Sequence, residues 1–315
     1  MGTMRALAIE GFDSTPGLID VPEPEPGAGE VLVRMRAAAL NPYDTFVAMG
    51  AMREYMSYEF PAVLGTDLAG TVEVMGEDVE GFSPGTRVFG TMGMKGVVRD
   101  GTIAQMATPQ VASIAVMPED VDDEQAATIG VAGTSAMSAV DAVDPSAGTT
   151  LLVLGATGGV GSFAIQLASA SGALVIASVR PGDEDFVTGL GAAETVDYTG
   201  DVVAAVRDRF PDGLDGLIDL VHRDHDAFAS MTAVVRAGGR ATSVVGGAGD
   251  ATEIGGVSVS NVGGNPAHLH ALADRIAAGS LRAAIRRTYP LDDAAQGMAD
   301  LTNEHTLGKL VITMV

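Results

Sequence analysis

The sequence predicts an α/β protein of two units, a β-rich domain and a doubly wound parallel-sheet domain. Three observations carry that prediction. A chain of 315 residues exceeds the size at which a single hydrophobic core stops growing. Its first third consists of short apolar runs broken by Gly65, Gly70, Gly76, Gly81, Gly85 and Gly90, the punctuation of a compact barrel-like β domain. From Thr149 onward, short apolar strands alternate with helical segments, as in a parallel sheet covered on both faces.

Taken in order, Met4-Arg5-Ala6-Leu7-Ala8-Ile9 reads as a strand, and Pro22, Pro24 and Pro26 interrupt the chain after it. Alternation resumes over 30–36 and again over 68–74. The texture changes near Pro118. Glu119, Asp120, Asp122, Asp123 and Glu124 suit a helix N-terminus, and apolar residues then recur at helical spacing through Val140. Strands follow over 151–154, 174–179, 214–221 and 241–245, with helices over 160–171 and 186–190. A last strand covers 308–312.

Composition removes several classes of function. The formal charge of -23 repels phosphate backbones and anionic membrane surfaces, so neither nucleic acid nor membrane is an expected partner. No apolar run is long enough to span a bilayer, and the start has no signal-peptide layout, which predicts a soluble cytoplasmic protein. Zero cysteines eliminate disulfides, thiolate nucleophiles and Cys-ligated metals. With no Trp and 4% aromatics, the core must be built from Ala, Val, Leu, Ile and Met.

Gly155-Ala156-Thr157-Gly158-Gly159-Val160-Gly161 follows four apolar strand residues and precedes an amphipathic helix. Glycines there let the backbone turn tightly and approach a pyrophosphate, and the helix start supplies free N–H donors. Ala156, Thr157, Gly158, Gly159 and Val160 are therefore predicted to bind a dinucleotide. About 20 residues further on, an Asp or Glu would select NAD. This chain offers Ser178 and Arg180, which favour the 2′-phosphate of NADPH unless Arg180 simply sits in a solvated loop. Asp183 and Glu184 fit the cap and first turn of the next helix.

In this order the motifs resemble the medium-chain dehydrogenase/reductase superfamily, in its zinc-free NADPH:quinone oxidoreductase (zeta-crystallin-like) branch. The resemblance rests on Pro26-Gly27-Ala28-Gly29-Glu30-Val31-Leu32-Val33, Asn41-Pro42-Tyr43-Asp44, and Leu64-Gly65-Thr66-Asp67-Leu68-Ala69-Gly70. It rests also on Gly85-Thr86-Arg87-Val88, the turn from Gly155, and Gly308-Lys309-Leu310-Val311. It implies a GroES-like catalytic domain over 1–121 and 263–315, with a Rossmann NADP(H)-binding domain over 122–262 inserted between, the nicotinamide lying in the cleft. It implies a homodimer that pairs sheet edges through Gly256-Val257-Ser258-Val259-Ser260. On the cofactor side it points to Ser135 at the nicotinamide end, Tyr198 at the adenosine-phosphate end and Val245 and Gly246 beside the nicotinamide. It places Lys309 either in cofactor binding or in a surface ion pair.

Zinc-dependent relatives use Cys and His ligands, and the matching positions are Asn41, Thr66 and Val131, with Asp67 the one carboxylate left. The resemblance therefore predicts no metal. His222 and His225, and His268 and His270, are spaced like ligand pairs but have no identifiable third ligand. His222 follows a strand near the expected cofactor and carries no assigned role. Without metal or thiol, the expected chemistry is direct hydride transfer to a quinone or an α,β-unsaturated carbonyl, with donors near the developing oxyanion. Asn41 matches the family's active-site loop and is the expected donor, with Tyr43, Tyr55 and Tyr58 as further donors. For Tyr55 and Tyr58, lid or interface packing is an equal alternative. Met49, Met52 and Met56 suggest an adaptable apolar wall. Two other functions fit the same motifs: a specialised biosynthetic enoyl reductase for polyketide or acyl substrates, and a non-catalytic NADPH-binding crystallin-like protein.

Overall fold

Alternating burial along Val31–Ala39 and continuous burial at the start of Asp67–Met75 reflect a sheet whose inner face packs on a core while the outer face meets water. In the computed structural model, which describes residues 2–314, the chain forms two compact units, 1–131 with 266–315, and 132–265. Each is built around its own sheets and core.

The first unit contains a three-stranded sheet in the order Gly17–Pro22, Thr3–Ile9, Ala62–Val63. A second sheet runs Ile114–Val116, Arg87–Thr91, Asp67–Met75, Val31–Ala39, Lys309–Thr313, Ile285–Pro290, with Met106–Ala107 also paired to Val31–Ala39. Late and early chain segments are thus hydrogen-bonded neighbours. Lys309–Thr313 runs antiparallel to Val31–Ala39, with Val311 opposite Ala39, and parallel to Ile285–Pro290. Leu7, Ile9, Met35, Leu40, Leu64, Leu68, Leu310 and Ile312 meet in its core.

The second unit has one seven-stranded sheet in the order Glu194–Asp197, Leu174–Val179, Thr150–Leu154, Leu214–Asp219, Val235–Ser243, Val257–Asn261, Glu253–Ile254. All pairs are parallel except the last. The first strand, Thr150–Leu154, has the second on one side and the fourth on the other, so the winding reverses there. This is the doubly wound order that places ligands at the carboxyl ends of the strands.

Several expectations need correction. The helix expected through Val140 is two helices, Asp123–Ala127 and Thr134–Val143, joined by a π-helical turn over Ile129–Gly133. The boundary falls after Val131 rather than Val121 because the shorter helix is bonded into the first unit: Arg87 Nη2 donates to Val121 O and to Asp123 Oδ1, both at 2.9 Å. The second boundary lies at 265/266 rather than 262/263. Asp183 is the N-cap residue of helix Glu184–Thr188 and Glu184 lies in its first turn, as expected, but the cap makes no side-chain capping bond and Glu184 accepts from Gly182 N at 2.8 Å. At the end of the sheet, a two-residue strand pairs with the start of the segment expected to pair across a dimer. Gly255 and Gly256, both at positive φ, turn the chain so that Glu253–Ile254 covers Val257 and Ser258. Among the described residues, no helix is long and apolar enough to cross a membrane.

Candidate functional site

In the first unit, the turn that ends Val31–Ala39 leads through Leu40 and Asn41 into a helix, Pro42–Ala48, which Pro42 suits at its first position. Asp44, one turn in, accepts from Asn41 N at 2.8 Å and from Thr66 Oγ1 at 2.8 Å. Leu40 N donates to Leu310 O, and that register delivers Lys309 to the same turn. Its ammonium donates to Asn41 Oδ1 at 2.6 Å, Leu40 O at 2.8 Å and Asp67 Oδ2 at 3.3 Å. Asn41 Nδ2 donates to Asp67 Oδ2 at 2.9 Å and Ala39 O at 3.3 Å, while Val131 N donates to Asp67 Oδ1 at 2.6 Å.

Asn41, Asp44, Asp67 and Lys309 are all buried. Burial pushes the Asp44 carboxyl up to about 7, against the hydrogen bonds from Thr66 and Asn41. Burial also raises Asp67, with the Lys309 ammonium pulling the other way. The three positions that match metal ligands are joined through Asp44 and Asp67 in one hydrogen-bond network, which the Lys309 ammonium enters at Asn41 and Asp67. Asn41 and Thr66 are spent on the two aspartates and Val131 contributes only its backbone N–H, so this set does not fit zinc. Among the described residues, no group of three or more His, Asp or Glu side chains is placed to hold a metal.

These contacts engage two of the expected site residues within the first unit. Lys309, expected at the cofactor or on the surface, is 4% exposed and has each of its three N–H bonds matched to an oxygen of the first unit. Asn41, expected to donate to substrate, has both amide hydrogens directed at protein oxygens. The tyrosines separate as well. Tyr58 donates to Val47 O at 3.0 Å and stacks edge-on with Phe12, at 4.9 Å between ring centres, so it packs. Tyr55 is exposed. Tyr43 is half-buried, and its hydroxyl meets only the thioether sulfur of Met56, at 3.3 Å, a weak acceptor. Burial holds its phenol above the ordinary range. Met52 and Met56 pack beside it on the core, whereas Met49 is exposed.

In the second unit, the glycine turn follows Thr150–Leu154 directly and opens helix Gly159–Ala170. Gly158 N donates to Gly155 O, and the first intrahelical bond is Ser162 N to Gly158 O. The N–H groups of residues 159–161 therefore have no partner within the helix, and no side chain caps it. A Cβ at Gly161 would lie 2.3 Å from Gly155 O, so only glycine lets helix and turn approach this closely. At Gly158 the same atom would meet nothing nearer than Gly155 O, at 3.5 Å. The turn fits a pyrophosphate.

Ala156 and Thr157 are buried in the turn, while Gly159 and Val160 are partly accessible. Ser178 was expected to face a 2′-phosphate; it is buried, and its hydroxyl accepts from Gly155 N at 3.1 Å, bracing the turn. Arg180 stands just past Leu174–Val179 with its side chain 45% exposed and only a long contact, 3.8 Å, to Asp183. Tyr198 is on the neighbouring strand end, its N–H donating to Val179 O. Both therefore border the place expected for the phosphate. Ser135 is buried in the first turn of Thr134–Val143. Val245 and Gly246 follow Val235–Ser243, where Ser243 Oγ accepts from Val245 N and Gly247 N.

Sequence reasoning missed Asp44 and the true place of Lys309, which lies 268 positions from Asn41 in the chain. No local pattern signals that pairing. It missed also the partner of His222: Asp219, fully buried at the end of Leu214–Asp219, accepts from Val221 N and His222 N, and its other oxygen is 2.8 Å from His222 Nδ1.

Two family profiles match, the Alcohol dehydrogenase GroES-like domain over residues 27–140 and Zinc-binding dehydrogenase over residues 190–312. The chloroplastic quinone-oxidoreductase QR1 of Triphysaria versicolor is 32% identical over 65% of this chain and 64% of its own. The chain thus spans just under two thirds of that relative's length. The quinone oxidoreductase of Sus scrofa is 28% identical over 100% of this chain and 98% of its own. Among solved structures, the quinone oxidoreductase from Coxiella burnetii superposes over 100% of both chains with a TM-score of 0.89 at 27% identity.

Proposed function

The chain belongs to the medium-chain dehydrogenase/reductase superfamily of oxidoreductases, among the homologues of quinone oxidoreductases, and on that premise we propose that it reduces quinones or α,β-unsaturated carbonyls with NADPH and without a metal. The cofactor, when bound, supplies a hydride. The N–H groups of residues 159–161 would hold its pyrophosphate, and Arg180 and Tyr198 its 2′-phosphate. Negative charge then grows on the substrate oxygen, and the protein must place a donor there.

Tyr43 is that donor, and its weakly held hydroxyl is the observation that carries the reading. Asn41 and Tyr58 have spent their donors on protein oxygens, whereas Tyr43 holds only a thioether. Because burial raises its pKa, the phenol keeps its proton through the neutral range. Met52 and Met56 give the neighbourhood an apolar lining that disfavours water. A metal is left out because a lysine ammonium already neutralises the carboxylate at the matching positions.

The test is NADPH oxidation against quinones, alkenals and enoyl thioesters, with metal analysis of the same sample. Tyr43→Phe should lower kcat about 100-fold, while the Kd for NADPH stays unchanged. Stoichiometric zinc, or full turnover in Tyr43→Phe, would overturn the proposal.

A further inference from the structure

The geometry points to His222 as a further cofactor-binding residue, held by Asp219 so that its outer ring nitrogen accepts a hydrogen bond from a ribose hydroxyl of the bound dinucleotide. The inference rests on the cofactor reading above and adds to it a side chain that hydride transfer does not itself require.

Position comes first. Leu154, Asp219 and Ser243 are register partners across three adjacent parallel strands, so their carboxyl ends form one rim of the second unit. The glycine turn leaves that rim from Leu154, and the loop containing Gly246 leaves it from Ser243. His222 leaves it from Asp219, between the two. The contacts agree: a Cβ at Gly155 would lie 3.0 Å from Val221 Cγ2, and one at Gly247 would lie 2.3 Å from His222 O. His222 therefore stands at the reversal point of the winding, where open α/β sheets take their ligands.

Chemistry comes second. Asp219 is 0% exposed, and among the described residues its carboxylate bonds only to Val221 and His222. One oxygen ties down two backbone N–H groups and so fixes the turn. The other faces His222 Nδ1, which places the ring proton on that nitrogen and leaves a lone pair on Nε2. Among the described residues, no protein group bonds Nε2, and the ring is about one third exposed, at 31%. A buried carboxylate that orients a ring and leaves its outer nitrogen facing outward is an arrangement for contacting something else. A dinucleotide lying along this rim offers ribose hydroxyls, which donate to such a lone pair.

The measurement is fluorescence titration with NADPH, alongside unfolding midpoints, for the wild-type chain, His222→Ala and Asp219→Asn. Loss of one hydrogen bond predicts a Kd raised about tenfold in His222→Ala, with the unfolding midpoint unchanged because the ring is partly exposed. Asp219→Asn presents an amide to Nδ1, which moves the ring proton to Nε2 and should weaken NADPH to a similar degree. Two fragments locate the ribose. If His222→Ala weakens adenosine 2′,5′-bisphosphate, the adenosine ribose is the partner; if it weakens only 2′-phospho-ADP-ribose, the other ribose is. Wild-type binding with an unchanged Kd in His222→Ala would overturn this inference alone. A wild-type chain that binds no NADPH would overturn the cofactor reading and this inference with it.

Discussion

Replacing Asp44 with Asn should make the protein's stability far less sensitive to pH between about 4 and 8. Asp44 is buried, accepts two hydrogen bonds, and has its carboxyl raised from 3.8 to about 7. A pKa raised by folding means that the folded state keeps a proton which the unfolded chain releases. That stabilisation is complete below about pH 4 and is lost as pH climbs through about 7. The gap between 3.8 and about 7 corresponds to about 4 kcal/mol. Asparagine mimics the protonated acid: its oxygen accepts from Asn41 N, its amide donates to Thr66 Oγ1, and it does not titrate. In guanidinium unfolding of both proteins across this range, the variant should gain about 4 kcal/mol over wild type from acid to alkaline conditions. Taking the difference between the two proteins cancels every other group's titration. A difference that stays flat with pH would refute the reasoning, because it would mean that Asp44 is ionised in the folded state as readily as in the unfolded one.

Lys309→Met should cost about 3–5 kcal/mol at neutral pH, since it strands the buried Asp67 carboxylate and leaves Asn41 Oδ1 and Leu40 O unbonded. Denaturant unfolding reads this directly, and a cost below about 1 kcal/mol would show that the ammonium is dispensable. Arg180→Glu should raise the Kd for NADPH by about tenfold to a hundredfold and leave that for NADH nearly unchanged. Equal effects on the two cofactors would remove Arg180 from the phosphate site.

Most of the second unit was legible because its signals are local. Strand, glycine turn and helix follow one another within residues 150–170, and a turn's chemistry can be read wherever its residues are contiguous. The position of Arg180 just past a strand end was readable for the same reason, since it stands at a fixed distance beyond that turn. Ser178 was misread because side-chain direction at a strand end is set by packing, and here it points inward to Gly155 N. In the first unit the failures share a cause. Asn41 looked like a free donor because nothing near it in the chain could occupy it. Its partners, Asp67 and Lys309, are brought to it by strand pairings across 26 and 268 positions. The Met and Tyr residues over 43–58 divide, Tyr43, Tyr58, Met52 and Met56 packing on the core while Tyr55 and Met49 are exposed, and which hydroxyl stays available depended on where Val47 O and Met56 Sδ came to lie.

The pairing of Lys309–Thr313 with Val31–Ala39 also sets a timetable for synthesis. At roughly 5–20 residues per second, Asn41 waits on the order of tens of seconds on the ribosome before Lys309 is made. By the time residue 265 is made the second unit, contiguous from 132 to 265, has its whole sequence, while Lys309 still lies 44 residues ahead. The first unit meanwhile lacks an internal strand of its larger sheet and the cation between its aspartates. A message truncated before codon 309 would yield a chain with a sound second unit and a first unit open to proteolysis.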